Sequence, residues 1–136
     1  MRRYAEDTKV PVSQSRTEIE KLLARYGADQ FMYGTEVGRA LVAFRMNGRH
    51  IRLLLPLPTD AGDKAEKETR RRWRSLTMII KAKLEACAAG VSVFDDEWMA
   101  HIVLPDGQTV GQFMRPQIAE AYSKGAMPKL LPGPSA

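Results

Sequence analysis

The sequence predicts a single α+β domain: a helix, a three-stranded antiparallel sheet, a long basic helix and then short helices. Three observations carry that prediction. Ile19, Leu22, Leu23 and Tyr26 recur at helical spacing before Gly27, Asn47-Gly48 separates two runs of alternating apolar and polar residues, and residues 64–89 contain neither proline nor glycine before Gly90. With 136 residues, 44% of them hydrophobic, the chain is long enough to bury one core without a disulfide or a structural metal. The expected organisation is an N-terminal arm over 1–12, an α-β-β-β-α core over 13–90, a helical part over 91–124 and an extended tail over 125–136.

Taken in order, residues 1–12 are polar and contain Pro11, which discourages an early helix. Ser15 with Glu18 fits a capping box, so the first amphipathic helix is expected near 15–26. Phe31-Met32-Tyr33 is a short strand candidate, and Glu36-Val37-Gly38 a turn into a second strand over 39–46. At Asn47-Gly48 both residues tolerate positive φ, as a two-residue type I′ hairpin requires. That turn fixes the register: Met46 opposite Arg49, Arg45 opposite His50, Phe44 opposite Ile51, Ala43 opposite Arg52 and Val42 opposite Leu53. One face then holds Ala40, Val42, Phe44, Ile51, Leu53 and Leu55 and should meet the helices. The other holds Arg39, Arg45, His50 and Arg52, with Leu41 and Leu54 among them, so it is not purely a solvent face and is expected to be partly covered by the arm or by a partner.

Pro56, Pro58 and Gly62 end the sheet. Asp63 with Glu66 fits a second capping box, and Gly90 stands where a helix ends in a left-handed residue. On a wheel centred on Ile80, the residues Trp73, Leu76, Leu84 and Cys87 form one apolar stripe. Arg70, Arg71, Arg74, Met78 and Lys81 are expected on the far side, as a cationic face opposite the core. Ser92 or Asp95 is expected to cap a short helix that includes Trp98 and Ile102, Pro105–Gln108 reads as a turn, and Thr109 with Gln112 repeats the capping-box spacing before a last amphipathic helix kinked near Pro116.

The net charge of +5 is unevenly placed: residues 1–57 carry ten Lys/Arg against six Asp/Glu, residues 58–90 eight against five, and residues 91–136 three against five. A basic first two-thirds bears on partners rather than on fold. No apolar run approaches the roughly 20 residues of a membrane span, so no membrane partner is expected. Arg2 and Arg3 are followed by Glu6 and Asp7 instead of an apolar stretch, which fits neither a secretory nor a twin-arginine signal, and the expected location is the cytoplasm. The single Cys87, on the apolar stripe, reads as a small core residue.

Catalytic motifs are scarce. Asp95, Asp96, Glu97 and His101 form the one acid-plus-histidine cluster, and Glu97 and His101 would share a helical face as a possible metal pair. Acids in a first helical turn already have a role with the macrodipole, so no metal, no cofactor and no catalytic residue is expected there. Phosphate loops and nucleophile elbows are missing from the sequence. Trp73 stands among Arg70, Arg71, Arg72 and Arg74, yet it belongs to the apolar stripe and reads as core rather than as a stacking platform. Glu66 with Arg70, and Glu68 with Arg71 or Arg72, are spaced for helical ion pairs. Arg74, Lys81 and Lys83 have little acid at such spacings. The candidate binding residues are therefore Arg70, Arg71, Arg74 and Lys81, with Arg45 and Arg52 on the sheet, for phosphates of DNA or RNA or for a protein partner.

The stretches RRYAEDTKVPVSQSRTEIEKLLARYGADQFMYG, KAKLEA and MAHIVLPDGQTV resemble small uncharacterised proteins encoded by tailed bacteriophages and prophages. That resemblance implies a product acting in a bacterial cytoplasm, in genome handling or against host machinery. The order helix, three strands, helix also resembles a double-stranded RNA-binding domain, which implies phosphate contacts at Arg70, Arg71, Arg72 and Arg74. The expected function is a non-enzymatic nucleic-acid-binding accessory protein. Its alternative is a protein-interaction module that inhibits or adapts a host complex such as an anti-phage defence system.

Overall fold

A computed structural model describes residues 8–125. The order is α1 (Val12–Arg25), β1 (Gln30–Glu36), β2 (Arg39–Met46), β3 (Arg49–Pro56), α2 (Asp63–Ala88), α3 (Phe94–Trp98), a 3-10 turn (Met99–His101) and α4 (Val110–Lys124). The α+β architecture is the one the sequence predicts.

The strands form one antiparallel sheet in the order β1-β2-β3, each connection two residues long. At the second connection Asn47 has φ 52° and Gly48 φ 72°, and the register is the expected one, from Met46 opposite Arg49 through Val42 opposite Leu53 to Arg39 opposite Pro56. β1 is longer than the three-residue candidate because Gln30 to Glu36 all find partners on β2. Ala40, Val42, Phe44, Ile51 and Leu53 are buried on the face that meets α1 and α2, with Leu55 half-buried beside them. Ile19, Leu22 and Leu23 of α1 and Trp73, Leu76, Ile80 and Leu84 of α2 complete that core, so Trp73 is a packing residue.

The helix starts differ from three of the four expected caps. α1 begins at Val12 with Pro11 as N-cap, which places Ser15 inside the helix, buried, instead of capping it. Proline disfavours helix in the residue before it and not in those after it, so Pro11 starts this helix where it was expected to delay one. α2 has Gly62 as N-cap and no side-chain cap; Asp63 and Glu66 sit in its first turn, where carboxylates complement the helix dipole. α3 is capped by neither Ser92 nor Asp95, since Val93 holds the N-cap position. The fourth expectation holds: at α4, Thr109 Oγ1 accepts from Gln112 N (3.1 Å) and Gln112 Oε1 accepts from Thr109 N (2.8 Å). The end of α2 also follows the sequence, with Gly90 at φ 74° and the N–H groups of Gly90 and Val91 donating to Cys87 O and Ala86 O.

The last third is pinned to the core at one corner. Trp98 is fully buried, edge-on to Phe44 with ring centroids 5.3 Å apart. Residues 102–104 run beside β3, Val103 N donating to His50 O (2.8 Å) and Ile102 pairing with Ile51. α4 packs on the 3-10 turn, runs through Pro116, and buries none of its residues. The expected tail, apart from Gly125, and the first seven residues of the expected arm lie outside the described residues.

Candidate interaction surface

Alternation along three paired strands builds the second face of the sheet. On it β1 presents Gln30, Met32, Gly34 and Glu36, β2 presents Arg45, Ala43, Leu41 and Arg39, and β3 presents His50, Arg52, Leu54 and Pro56, in the pairing order across the sheet. Neither α1 nor α2 covers this face, because both lie on the other. Gly34 and Ala43 leave its floor low, and two adjoining depressions of about 410 and 500 Å³ share Leu41 and Arg52. Met32 is 59% exposed and Leu54 44%. α4 starts at the β3 side of this face and carries Phe113, Ile118 and Tyr122, all exposed, the last at 87%.

The charges here are mostly neutralised in place. Arg45 makes a two-pronged pair with Asp29, its Nε donating to Oδ1 at 2.9 Å; that hydrogen bond holds the Asp29 carboxyl below its usual range and raises Arg45 above its own. Arg39 pairs with Glu36. Arg49, at the hairpin, pairs with Asp95 through Nε (3.1 Å) and Nη2 (2.9 Å), which raises the guanidinium further. Arg52 differs. It is half-buried, and among the described residues its one partner is neutral: Nη2 donates to Gln112 Oε1 at 3.0 Å, the same oxygen that caps α4.

The basic stretch of α2 is more engaged than helical spacing implies. Arg71 and Arg72 share Glu68, as expected, and Arg72 also donates to Pro56 O (2.8 Å). Arg74 pairs with Glu18 of α1, and both are partly buried. Lys83 donates to the side chain (2.9 Å) and the backbone carbonyl (3.0 Å) of Glu97. The expectation of uncompensated charge on Arg74 and Lys83 is therefore corrected: their partners lie 56 and 14 residues away in sequence. The cause is geometric. At about 100° per residue, Arg70, Arg74 and Lys81 stand only about 80–120° round the helix from Ile80, on a flank instead of opposite the core. The expected Glu66–Arg70 pair does not form. Arg70 and Lys81 have no ion pair among the described residues; Arg70 is half-buried and Lys81 exposed.

The acid-histidine cluster is likewise occupied. Lys83 holds the Glu97 carboxyl below its usual range by hydrogen bonding to it. His101 is half-buried, and burial, then the positive charge of Lys83, depress its pKa. Burial, reinforced by Glu97, pushes the Cys87 thiol up, and Cys87 lies half-buried against the core. Among the described residues no three His, Cys, Asp or Glu side chains are grouped to hold a metal ion.

Of the six residues singled out in the sequence, Arg70, Arg74 and Lys81 thus line one flank of α2 and Arg71 stands opposite Ile80 beside Glu68, while Arg45 and Arg52 lie on the sheet's open face. Met32, Leu41 and Leu54 are additions that the sequence signals only through strand alternation, and Gln112 is one it signals only as a helix cap. No family model, curated protein or solved structure matches the chain. No helix among the described residues is long and apolar enough to cross a membrane.

Proposed function

We propose that the protein is a non-enzymatic protein-interaction module that docks on a partner through the open face of its sheet. The observation that carries this reading is the exposed apolar strip on the open face of the sheet: Met32, Leu41 and Leu54 share the face that neither α1 nor α2 covers. Exposed apolar groups gathered in one place mark interaction sites more often than scattered ones do. The resemblance to small phage and prophage proteins makes a bacterial host complex, such as a defence system, the expected partner. Three of the four α2 arginines expected on phosphates already face carboxylates of the same chain, which weakens the nucleic-acid reading.

One observation keeps that second reading in play: Arg70 and Lys81 lie on one flank of α2 without a carboxylate among the described residues. Salt decides between the two. Protein docking through an apolar face expects no affinity for duplex or single-stranded DNA or RNA at ~50 mM salt, where counterion release favours phosphate binding most. It also expects photo-crosslinkers at positions 32 and 54, but not at 64, to give protein adducts in host lysate that survive nuclease. Salt-sensitive nucleic-acid binding that falls in Arg70→Gln and Lys81→Gln would instead establish the second reading.

A further inference from the structure

Resting on the docking reading, we infer that the open face of the sheet takes an acidic peptide segment of the partner, one carboxylate being held by Arg52 between large apolar side chains. Charge complementarity selects this occupant. The other arginines of the face, Arg39 and Arg45, are matched to Glu36 and Asp29. Among the described residues, Arg52 alone of these arginines stands between the two depressions with a neutral partner, and Gln112 accounts for only one of its five N–H donors. A planar guanidinium, half-buried and short of acceptors, matches a carboxylate through two parallel hydrogen bonds.

The surroundings of Arg52 favour a peptide over a phosphodiester. Its cross-strand neighbour is Ala43, and Met32, Leu41 and Leu54 border it. These side chains reward apolar groups on either side of the anion, which a peptide supplies and a sugar-phosphate backbone does not. Ala43 and Gly34 keep the floor shallow enough for such side chains to reach it. A second copy of this chain fits less well, since the exposed helix beside the face offers Arg115 and Lys124 against Glu120 and brings no excess of negative charge.

The test uses the isotope-labelled full chain titrated by NMR with a short peptide alternating leucine and glutamate. Controls are the same peptide with lysine for glutamate, and a short single-stranded DNA. Shifts are expected at Met32, Leu41, Leu54 and the Arg52 side chain with the acidic peptide only. Arg52→Gln should weaken binding about tenfold or more, the scale of a charge-assisted hydrogen bond lost at an interface. Met32→Ser with Leu54→Ser, both on exposed side chains, should weaken it similarly without lowering the melting temperature. Equal binding of the lysine peptide, an unchanged affinity in Arg52→Gln, or shifts confined to α2 would overturn the inference. Should the acidic peptide fail while protein adducts at positions 32 and 54 persist, the docking reading stands and only the carboxylate preference falls. If the DNA shifts the open face and the peptide does not, both fall.

Discussion

At Ser15 the fold places a hydroxyl where a methyl group would serve. Its Oγ is buried with no hydrogen-bond partner among the described residues, while Thr77 Oγ1 donates to Trp73 O (2.9 Å) alongside it. Ser15→Ala should therefore raise stability by about 0.5 kcal/mol, the gain from removing an unsatisfied group and improving helix propensity. A residue capping the helix would instead lose about 1 kcal/mol, so the sign of the change in a denaturant melt decides which role Ser15 has. Arg74 makes the opposite case. Its link to Glu18 ties α1 to α2 with both side chains partly covered, and Arg74→Gln should cost about 1 kcal/mol, more than an exposed arginine would. A double-mutant cycle with Glu18→Gln should return a coupling of at least about 0.5 kcal/mol. For His101, burial and Lys83 favour the neutral ring in the folded chain, so its pKa there lies below the ordinary 6.5. The unfolded chain then takes up the proton first as pH falls. Stability held above pH 6.5 should decline as the pH drops below that value, and His101→Gln should flatten that slope. The carboxylates held low by Arg45 and Lys83 act separately, since the stability they contribute is lost only below the ordinary carboxyl range.

Among the elements, α4 is the least supported. A helix of 15 residues that buries none of them, and contains a proline, gains little from packing, and helices of that length are marginal in water on their own. Its hold on the body is its first turn: the Thr109 capping box, the Arg52–Gln112 bond and the close approach of Gly111 to Ala100. A β-carbon at Gly111 would sit 2.9 Å from Ala100 O, so Gly111→Ala should cost about 1–3 kcal/mol and speed amide exchange through α4, while leaving α2 protected. The elements also divide cleanly into those legible in the sequence and those not. The hairpin, its register and both sheet faces follow from local rules, because Asn47-Gly48 and period-two alternation act over neighbouring residues. Trp73 was legible as core for the same reason. The starts of α1 and α2 were not, because Pro11 and Gly62 occupy the N-cap without a side chain to signal it. The partners of Arg74, Lys83 and Arg49 were out of reach, since Glu18, Glu97 and Asp95 arrive from other elements through packing that no spacing rule encodes. Arg52 was singled out as a cation, but its isolation among matched pairs emerges only when those pairs are known.

For the molecule as a whole, the sheet is a one-sided layer. Among the described residues, two helices seal one face, and the chain after α2 reaches around the β3 edge through Trp98, Ile102 and Val103 without closing over the other. The two-residue connections at Val37-Gly38 and Asn47-Gly48 have a consequence in time. Every strand pairing in the sheet closes through a minimal loop, so its entropic penalty is small and the meander can assemble before any distant segment is recruited. The sequence-distant contacts, α1 against α2 and residues 102–103 against β3, can then form on a surface already in register. Gly48→Ala, which strains a residue at φ 72° by about 1–2 kcal/mol, should accordingly slow refolding with little change in the unfolding rate. Trp98→Phe should do the reverse, accelerating escape from the native state while the approach to it keeps its pace, and stopped-flow chevrons of the two variants would separate the early meander from the late corner.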